Sequence, residues 1–202
     1  FANGDRLQCS SLVVATGGKS IPKMGASDFG YRLAAQFDVA VTPTRPALVP
    51  LTFDGDLLQR LKQLAGVAIN ARVRSDKASF DEAMLFTHRG LSGPAILQIS
   101  SYWREGGEIR ISMLPGINFL HAIRAAKGQN GKQEARNFLA TLLPRRLAKE
   151  IADAQNCAGN LPDLTDAQLR ALNDAVNDWC ITPAGNEGYR TAEVTLGGVD
   201  TK

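Results

Sequence analysis

Residues 12–18 read Leu-Val-Val-Ala-Thr-Gly-Gly, and residues 194–199 read Val-Thr-Leu-Gly-Gly-Val. Each is a short apolar run that ends in two glycines, a pattern typical of a buried strand that passes into a tight turn. Ligands of α/β proteins bind at the carboxyl ends of such strands, where glycine lets the backbone approach a nucleotide closely. The pattern predicts a nucleotide-binding protein, although a glycine pair also occurs in ordinary strand-to-loop turns.

The first and last residues of the sequence indicate whether the chain contains a whole nucleotide-binding domain. The chain begins with Phe1, not methionine, and it stops four residues after Gly198. A nucleotide-binding sheet needs more strands than these two ends supply. We therefore expect the chain to be an internal fragment of a larger nucleotide-binding protein.

Hydrophobic periodicity predicts the elements between the two glycine pairs. Up to about Arg45, a strand over 11–16 precedes a helix over 28–37 and a short strand over 39–41. Three prolines, at positions 43, 46 and 50, then mark a crossing into a different part of the chain.

Beyond these prolines the apolar residues alternate with a period of two. The alternation predicts strands over 48–53, 67–75, 79–86 and 108–113, with a hairpin turn at 76–77 and a brief helix over 56–64. Short strands at this spacing favour an antiparallel sheet or a small barrel.

The next part of the chain, from 118 to 179, is helical in pattern throughout. Thr165 and Gln168 form a capping box before its last helix. A final strand over 189–195 then has to return to the first sheet if the two glycine pairs are to lie side by side.

The composition is that of a globular protein. The 202 residues are 44% hydrophobic and 21% charged, which argues against disordered and fibrous classes. No apolar run is long enough to cross a membrane. The three cysteines share no short spacing, so we expect unpaired thiols in a reducing cytoplasm and neither a disulfide framework nor a metal site.

Charge is distributed unevenly along the helical part. Seven bases and two acids lie between 117 and 150, whereas six acids and one base lie between 151 and 188. Two interpretations stay open. Neighbouring helices of opposite sign attract each other, or the basic stretch, from Arg124 to Lys149, binds a polyanion such as RNA.

Residues 87–94 join a predicted strand to a predicted helix that Ser92 would cap. Thr87, His88, Ser92 and Gly93 would there offer hydroxyls, an imidazole and a free amide to an anionic or carbonyl substrate. The alternative is a structural loop with a solvent-exposed histidine.

Five motifs occur in the same order as in the YhiN/BaiN-like flavoproteins, and the resemblance covers essentially all 202 residues. They are Ala15-Thr16-Gly17-Gly18 with Ser20, Pro22 and Gly25; Gly30-Tyr31 with Ala34; Pro46-Ala47-Leu48-Val49-Pro50-Leu51; Leu85-Phe86-Thr87-His88 with Gly90-Leu91-Ser92-Gly93-Pro94-Ala95; and Thr195 with Gly197-Gly198-Val199. Any one motif is common, but five in register are specific.

This resemblance implies a multidomain α+β fold. Residues 1–45 and 190–202 would be portions of a glutathione-reductase-like FAD-binding α/β domain. Residues 46–116 and 180–189 would form an inserted antiparallel β-barrel-like unit, and 117–179 a small helical bundle. The family's pyrophosphate-binding turn and the segment that closes over the flavin would lie outside the chain.

The resemblance also implies the cofactor-binding residues. The first glycine turn (Thr16, Gly17 and Gly18) would lie against FAD, and the second (Thr195, Gly197 and Gly198) would place backbone amides near the isoalloxazine. Glu193 stands where some related reductases carry a histidine. Glu193 and His88 are therefore the candidates for catalytic acid or base.

The implied parent protein is a cytoplasmic FAD-dependent oxidoreductase. Hydride would pass between NAD(P)H or a substrate and an acceptor, with a small molecule or a structured RNA as the partner. The alternative function is an RNA-docking module of a flavin-dependent ribosomal RNA uridine reductase. The fragment alone is expected to bind no FAD and to be inactive, with its unpaired sheet edges covered by the remainder of the FAD domain or self-associating.

Overall fold

The structure of the protein is a computed structural model that describes residues 4, 6–76, 78–129 and 132–201. Its strands are β1 (Arg45–Ala47), β2 (Leu51–Thr52), β3 (Ala68–Ser75), β4 (Ala78–Phe86), β5 (Gly90–Ser92), β6 (Ile109–Ser112), β7 (Trp179–Ile181), β8 (Gly185–Asn186) and β9 (Val194–Leu196). Its α-helices are α1 (Phe29–Gln36), α2 (Gly55–Gln63), α3 (Pro94–Ser100), α4 (Phe119–Gln129), α5 (Ala135–Leu139), α6 (Arg145–Ala154) and α7 (Asp166–Asn177). Short 3-10 helices lie at Pro22–Met24 and Leu161–Asp163.

Seven strands form one antiparallel sheet in the order β7-β6-β3-β4-β5-β2-β8, and β1 pairs with β9. The two edge strands of the large sheet, β7 and β8, are separated in the chain by only residues 182–184. That connection spans at most about 15 Å, whereas the edges of a flat seven-stranded sheet lie about 29 Å apart. The sheet therefore has to curl, as expected of a barrel-like unit.

The centre of the sheet is the long hairpin of β3 and β4, which pair over their length from Ala68 opposite Leu85 to Ser75 opposite Ala78. Along β3, exposed and buried residues alternate without a break. The period of two in the sequence thus reflects one face turned to the core and one to solvent. Helix α3 covers the core face and buries Ala95, Ile96 and Ile99.

Helices α4 to α7 extend the same core. One contiguous apolar cluster contains Ile111 of β6, Phe119 of α4 and Leu172 of α7. Helix α7 begins with the predicted capping box, in which the Thr165 hydroxyl accepts from the Gln168 N–H and the Gln168 side chain accepts from the Thr165 N–H. Because the core is continuous, no gap in packing separates sheet from helices, and the division at residues 116 and 179 stays a prediction.

The predicted strand over 11–16 is wrong for the described residues. Leu12 and Val13 are 77% and 86% exposed, and the segment has no strand partner. A strand forms only when a neighbour accepts its hydrogen bonds, and none of the described residues does so here. The predicted strand over 39–41 is likewise reduced to one antiparallel bridge, between Val41 and Val199.

Other differences have local causes. The strand predicted over 48–53 is only Leu51–Thr52, because Leu48 turns the backbone with φ at 47°. The strand predicted over 189–195 is only Val194–Leu196. Ser92 belongs to β5, and Gly93 with φ at 88° is the N-cap of α3. The hairpin turn predicted at 76–77 falls partly on a residue outside the described ones.

We expect Gly90→Ala to lower the free energy of unfolding by at least about 2 kcal/mol. Gly90 has φ at 151°, and a Cβ there would collide with the Leu51 carbonyl oxygen and lie 2.8 Å from the Phe53 ring. The pairing of β2 with β5 would have to shift to make room.

Gly128→Ala is the matched control, because Gly128 lies in α4 with nothing within 4 Å of a Cβ. Alanine should there raise stability by about 1 kcal/mol. Equilibrium denaturation compares the two variants. Wild-type stability of Gly90→Ala would contradict the close approach of β2 and β5.

Candidate functional site

The two glycine turns lie in contact, with the second turn at the end of β9. Strand β9 runs antiparallel to β1, with Thr195 opposite Pro46. A Cβ built on Gly18 would lie 2.6 Å from Thr195 Oγ1 and 2.8 Å from the Tyr31 hydroxyl, distances that real Cβ atoms do not show. Position 18 therefore has to be glycine because the second turn packs directly on the first.

The Thr195 hydroxyl joins the turns. It accepts hydrogen bonds from the backbone N–H groups of Lys19 at 2.9 Å and Ser20 at 3.0 Å, and it lies 3.0 Å from Ser20 Oγ. A hydroxyl has two lone pairs and one proton. The two amides fill the lone pairs, so the proton goes to Ser20 Oγ. Thr195 is thus fully engaged within the protein and acts as a positioning residue.

Gly198 is also engaged. Its carbonyl oxygen accepts from the Thr42 N–H at 2.7 Å and from the Thr42 hydroxyl, and its N–H donates to Thr42 Oγ1 at 3.0 Å. Gly197 has φ at 83°, and a Cβ there would collide with the Pro43 carbonyl. The second turn is therefore held against residues 42–43 by its backbone.

Gly17 differs from the other glycines of the two turns. It is exposed, has φ at 67°, and a Cβ there would meet no atom within 4 Å. Its N–H has no hydrogen-bond partner among the described residues. The Thr16 hydroxyl lies beside Gly30, where a Cβ would come within 2.8 Å. Of the two turns, the backbone at Gly17 is the part open to a ligand.

Sequence reasoning missed the role of Lys19. Its Nζ donates to Thr44 Oγ1 at 3.0 Å and lies 5.7 and 5.8 Å from the ring centroids of Tyr31 and Tyr189. No carboxylate within the described ranges pairs with it. The rings of Tyr31 and Tyr189 therefore hold the Lys19 ammonium beside the turns. A positive charge at this place is suited to bind an anion. The Gly17-Gly18-Lys19-Ser20 run was the signal, although the chain lacks the glycine spacing of a phosphate-binding loop.

An apolar groove of about 640 Å³ opens next to Gly17. Its lining includes Leu12 and Val14, which precede the first glycine turn, and Leu33 and Phe37 of the α1 region. Phe37 is 73% exposed. Exposed apolar side chains gathered in one groove are typical of a surface that another part of a protein covers.

The predicted substrate loop is a tight hairpin between β4 and β5. The Thr87 hydroxyl accepts from the N–H groups of Arg89 and Gly90, and the Thr87 N–H donates to the Gly90 carbonyl at 2.8 Å. His88 is exposed at its tip. A Cβ on Gly93 would lie 2.8 Å from the Ala83 carbonyl oxygen. Gly93 therefore packs on β4, and Ser92 lies inside β5 and does not cap α3, whereas a substrate contact of these residues stays a prediction.

One stretch of chain connects the hairpin with the glycine turns. Arg89 lies 3.8 Å from Glu187, and two residues later the Tyr189 carbonyl accepts from the Ile21 N–H at 2.9 Å. Glu193 is exposed, and its backbone N–H donates to the Leu48 carbonyl. The hairpin and the turns therefore lie on connected parts of one surface.

Three of the seven bases in the basic stretch pair with a carboxylate among the described residues. The partners are Asp166 for Arg124, Glu134 for Arg136, Asp153 for Lys149, and the carbonyls of Gln63 and Ala65 for Arg146. The pair between α4 and α7 is 2.5 Å long, and its hydrogen bond lowers the pKa of Asp166. Attraction between neighbouring helices thus accounts for the Arg124–Asp166 pair, whereas the pairs of Arg136 and Lys149 each lie within one helical segment. Arg145 has no carboxylate partner in the described part of the chain.

Thiol and metal chemistry have little support. Cys9 and Cys180 are exposed and Cys157 is buried, all with free thiols. A hydrogen bond to Glu108, 3.1 Å away, raises the pKa of Cys180 and makes it a poor nucleophile. Within the described ranges, no three His, Cys, Asp or Glu residues group as metal ligands. None of the helices described there has the length and apolar character of a membrane span.

Residues 45–194 match the family described as the HI0933-like protein barrel and H2TH domain. The chain is 46% identical over 205 residues to the ribosomal RNA dihydrouridine synthase of Escherichia coli (strain K12), a match that covers 98% of this chain and 50% of that protein. The same enzyme of Haemophilus influenzae is 41% identical over 99% of this chain and 50% of that protein. The 3-dehydro-bile acid delta(4,6)-reductase of Clostridium scindens is 27% identical, over 99% and 52%. The chain therefore spans about half the length of the curated relatives it matches.

Thr195→Val tests the joint between the turns. The substitution keeps the shape of the side chain but removes the oxygen that accepts from Lys19 and Ser20. We expect hydrogen exchange at these two amides to accelerate roughly tenfold, equivalent to about 1.4 kcal/mol of lost protection. Thr195→Ser retains the hydroxyl and should exchange like the wild type. Equal exchange rates in all three proteins would contradict the assignment.

Proposed function

Because the chain belongs to the HI0933-like family, we propose that it is part of an FAD-dependent enzyme that reduces a uridine of ribosomal RNA. The joint between the two glycine turns carries this proposal, since Thr195 holds segments from opposite ends of the chain beside the open backbone of Gly17. Ribosomal RNA is favoured as the substrate by the names of the two relatives that share more than 40% identity.

The residues of the turns fit a dinucleotide. FAD carries a pyrophosphate and a long, largely flat body, so it needs an unobstructed backbone donor and a positive charge. Gly17 supplies an N–H that has no partner among the described residues, and the space beside its Cα is open. Lys19 supplies a cation held by Tyr31 and Tyr189. We assign Gly17 and Lys19 to cofactor contact, whereas Gly18, Thr195 and Gly198 position the turns.

Saturation of a uridine adds a hydride and a proton to its C=C bond. When bound, reduced FAD supplies the hydride, with NAD(P)H as the proposed electron donor. The chain's own contribution is to fix the backbone around Gly17 and Gly197 and to offer a proton. Glu193, two residues before Thr195, and His88, at the hairpin tip, are the candidate donors. Both are exposed, so solvent would restore either proton.

The groove beside Gly17 has a proposed occupant, the remainder of the FAD domain. The chain spans half the length of its relatives, and Leu12, Val14 and Phe37 expose apolar surface that strands or helices of the other half would bury. The glutathione-reductase-like arrangement of that domain is part of the same proposal.

A small-molecule reductase is the second candidate function. Its support is the 27% identity to the bile acid reductase. The ribosomal RNA function is preferred because the two relatives that carry its name are 46% and 41% identical to this chain, over nearly the same residues. Both functions use FAD and hydride transfer, and they differ in the partner that the surface has to recognise.

The full-length protein should restore dihydrouridine to the ribosomal RNA of a strain that lacks its gene. Mass spectrometry of ribosomal RNA digests detects the product as a uridine that carries two additional hydrogens. A protein that binds FAD but restores no dihydrouridine would favour the small-molecule function.

Gly17→Val and Gly198→Val should both lower the flavin content of the purified full-length protein, by at least about tenfold for Gly17. A branched side chain at either position is strained by the positive φ, and at Gly17 it would also fill the space left for the cofactor. Absorbance of the flavin against protein concentration measures occupancy. Gly159→Val is the control, since Gly159 is exposed with open space around it. Normal flavin content in both turn variants would make these turns purely structural.

A further inference from the structure

The turn that follows α3 carries an exposed aromatic side chain. Tyr102 is 56% exposed, and among the described residues from 45 to 194 it is the one aromatic within the exposed large hydrophobic set. Its ring rests against Phe80 of β4, with centroids 5.7 Å apart and planes inclined by 43°. Phe80 thus supports the ring from one side, while the remaining surface faces solvent.

Arg104 lies two residues further along and is exposed. Its side chain has no carboxylate partner among the described residues, and the guanidinium makes one long hydrogen bond there, of 3.5 Å to the adjacent Trp103 carbonyl. The arginines of β3 and β6 have carboxylate partners: Arg72 pairs with Asp81 at 2.6 Å, and Arg74 and Arg110 share Asp178 at 3.3 and 2.6 Å. Arg104 therefore keeps its full charge beside the exposed ring.

A second arginine holds this turn in place. Arg45 donates to the carbonyl oxygens of Ser101 and Trp103, which fixes the backbone on both sides of Tyr102. Burial and the positive charge of Arg104 together lower the pKa of Arg45. Both guanidinium groups approach the Trp103 carbonyl oxygen, Arg45 at 3.3 Å and Arg104 at 3.5 Å, so a bound anion would lower the repulsion between them.

The position of Arg45 connects this turn to the candidate cofactor site. Arg45 pairs with Leu196 in the β1–β9 ladder, and Leu196 directly precedes Gly197 of the second glycine turn. Arg45 therefore contacts the Tyr102 turn through its side chain, and it pairs through its backbone with the strand that leads into the second glycine turn. A flexible polymer that lay across Tyr102 would continue toward the glycine turns.

Resting on the proposed function, we infer that Tyr102 and Arg104 bind a single-stranded segment of the RNA substrate. A nucleobase would stack on the Tyr102 ring, and the neighbouring phosphate would pair with Arg104. Stacking requires an unpaired base, which selects a loop or a bulge over a duplex. Asp76 lines the same groove as Tyr102 and Arg104. Its carboxylate repels phosphate, so within that groove the phosphate would pair with the Arg104 guanidinium. Arg45 is a positioning residue here.

Fluorescence anisotropy with the purified full-length flavoprotein tests this inference. The probe is a labelled oligouridylate of about twelve nucleotides, within the range of single-strand sites, and its duplex with oligoadenylate serves for comparison. Tyr102→Ala should weaken binding of the single strand roughly tenfold, whereas Tyr102→Phe, which keeps the ring, should bind like the wild type. Arg104→Glu should weaken binding and reduce the slope of log affinity against log salt by about 1.

Arg145→Glu is the matched control, because Arg145 is an exposed, unpaired arginine on α6 in the basic stretch. It should leave affinity within about twofold. Wild-type affinity in Tyr102→Ala and Arg104→Glu, with a loss only in Arg145→Glu, would overturn the inference and place the RNA on the helices. If those two variants bind normally while the wild type restores dihydrouridine in cells, the inference alone fails. If the wild type neither restores dihydrouridine nor binds the probe, the proposed function fails and the inference with it.

Discussion

The hydroxyl of Thr195 is the point on which the candidate site depends. It satisfies the amides of Lys19 and Ser20, which are 176 and 175 residues away in the chain. Without an acceptor at this position, the two amides would face an apolar contact, and the glycine turns would have no direct polar link. The glycine at position 18 follows from the same contact, because any Cβ there would displace Thr195. Gly17 differs from Gly18 and Gly197 because a Cβ there would meet no protein atom, and the proposed cofactor contact is placed at Gly17 for that reason.

Most of the chain lies between two strands, β1 and β9, that pair beside the Thr195 contact. Ala47 of β1 pairs with Val194 of β9, so the residues between them form one segment whose two ends lie side by side. The curled sheet and the four helices after it share a continuous core within this segment. The outer surface of this segment can change while the joint stays fixed, which is compatible with the proposed recognition of RNA. The side chain of Arg45, in β1 at the start of this segment, contacts the turn that carries Tyr102.

The sequence predicted those elements whose formation depends on residues close together in the chain. The alternation along β3 follows from one buried face, and the capping box at Thr165 satisfies its own helix end. The strand predicted over 11–16 failed because pairing, unlike periodicity, requires a partner. The specific partners of Lys19 (Tyr31 and Tyr189) and of Arg124 (Asp166) could not be predicted, since only the fold brings these residues together. The pairing of glycine turns at opposite ends of the chain could be predicted, but the hydroxyl that joins them could not.

The most direct test of this account is the distance from the Gly17 backbone nitrogen to FAD in a crystal structure of the full-length flavoprotein. The account predicts an FAD oxygen about 3 Å from this nitrogen, with Lys19 on the same side and the Thr195 hydroxyl still bonded to the amides of Lys19 and Ser20. An FAD molecule bound elsewhere, with the Gly17 amide covered by protein, would contradict it.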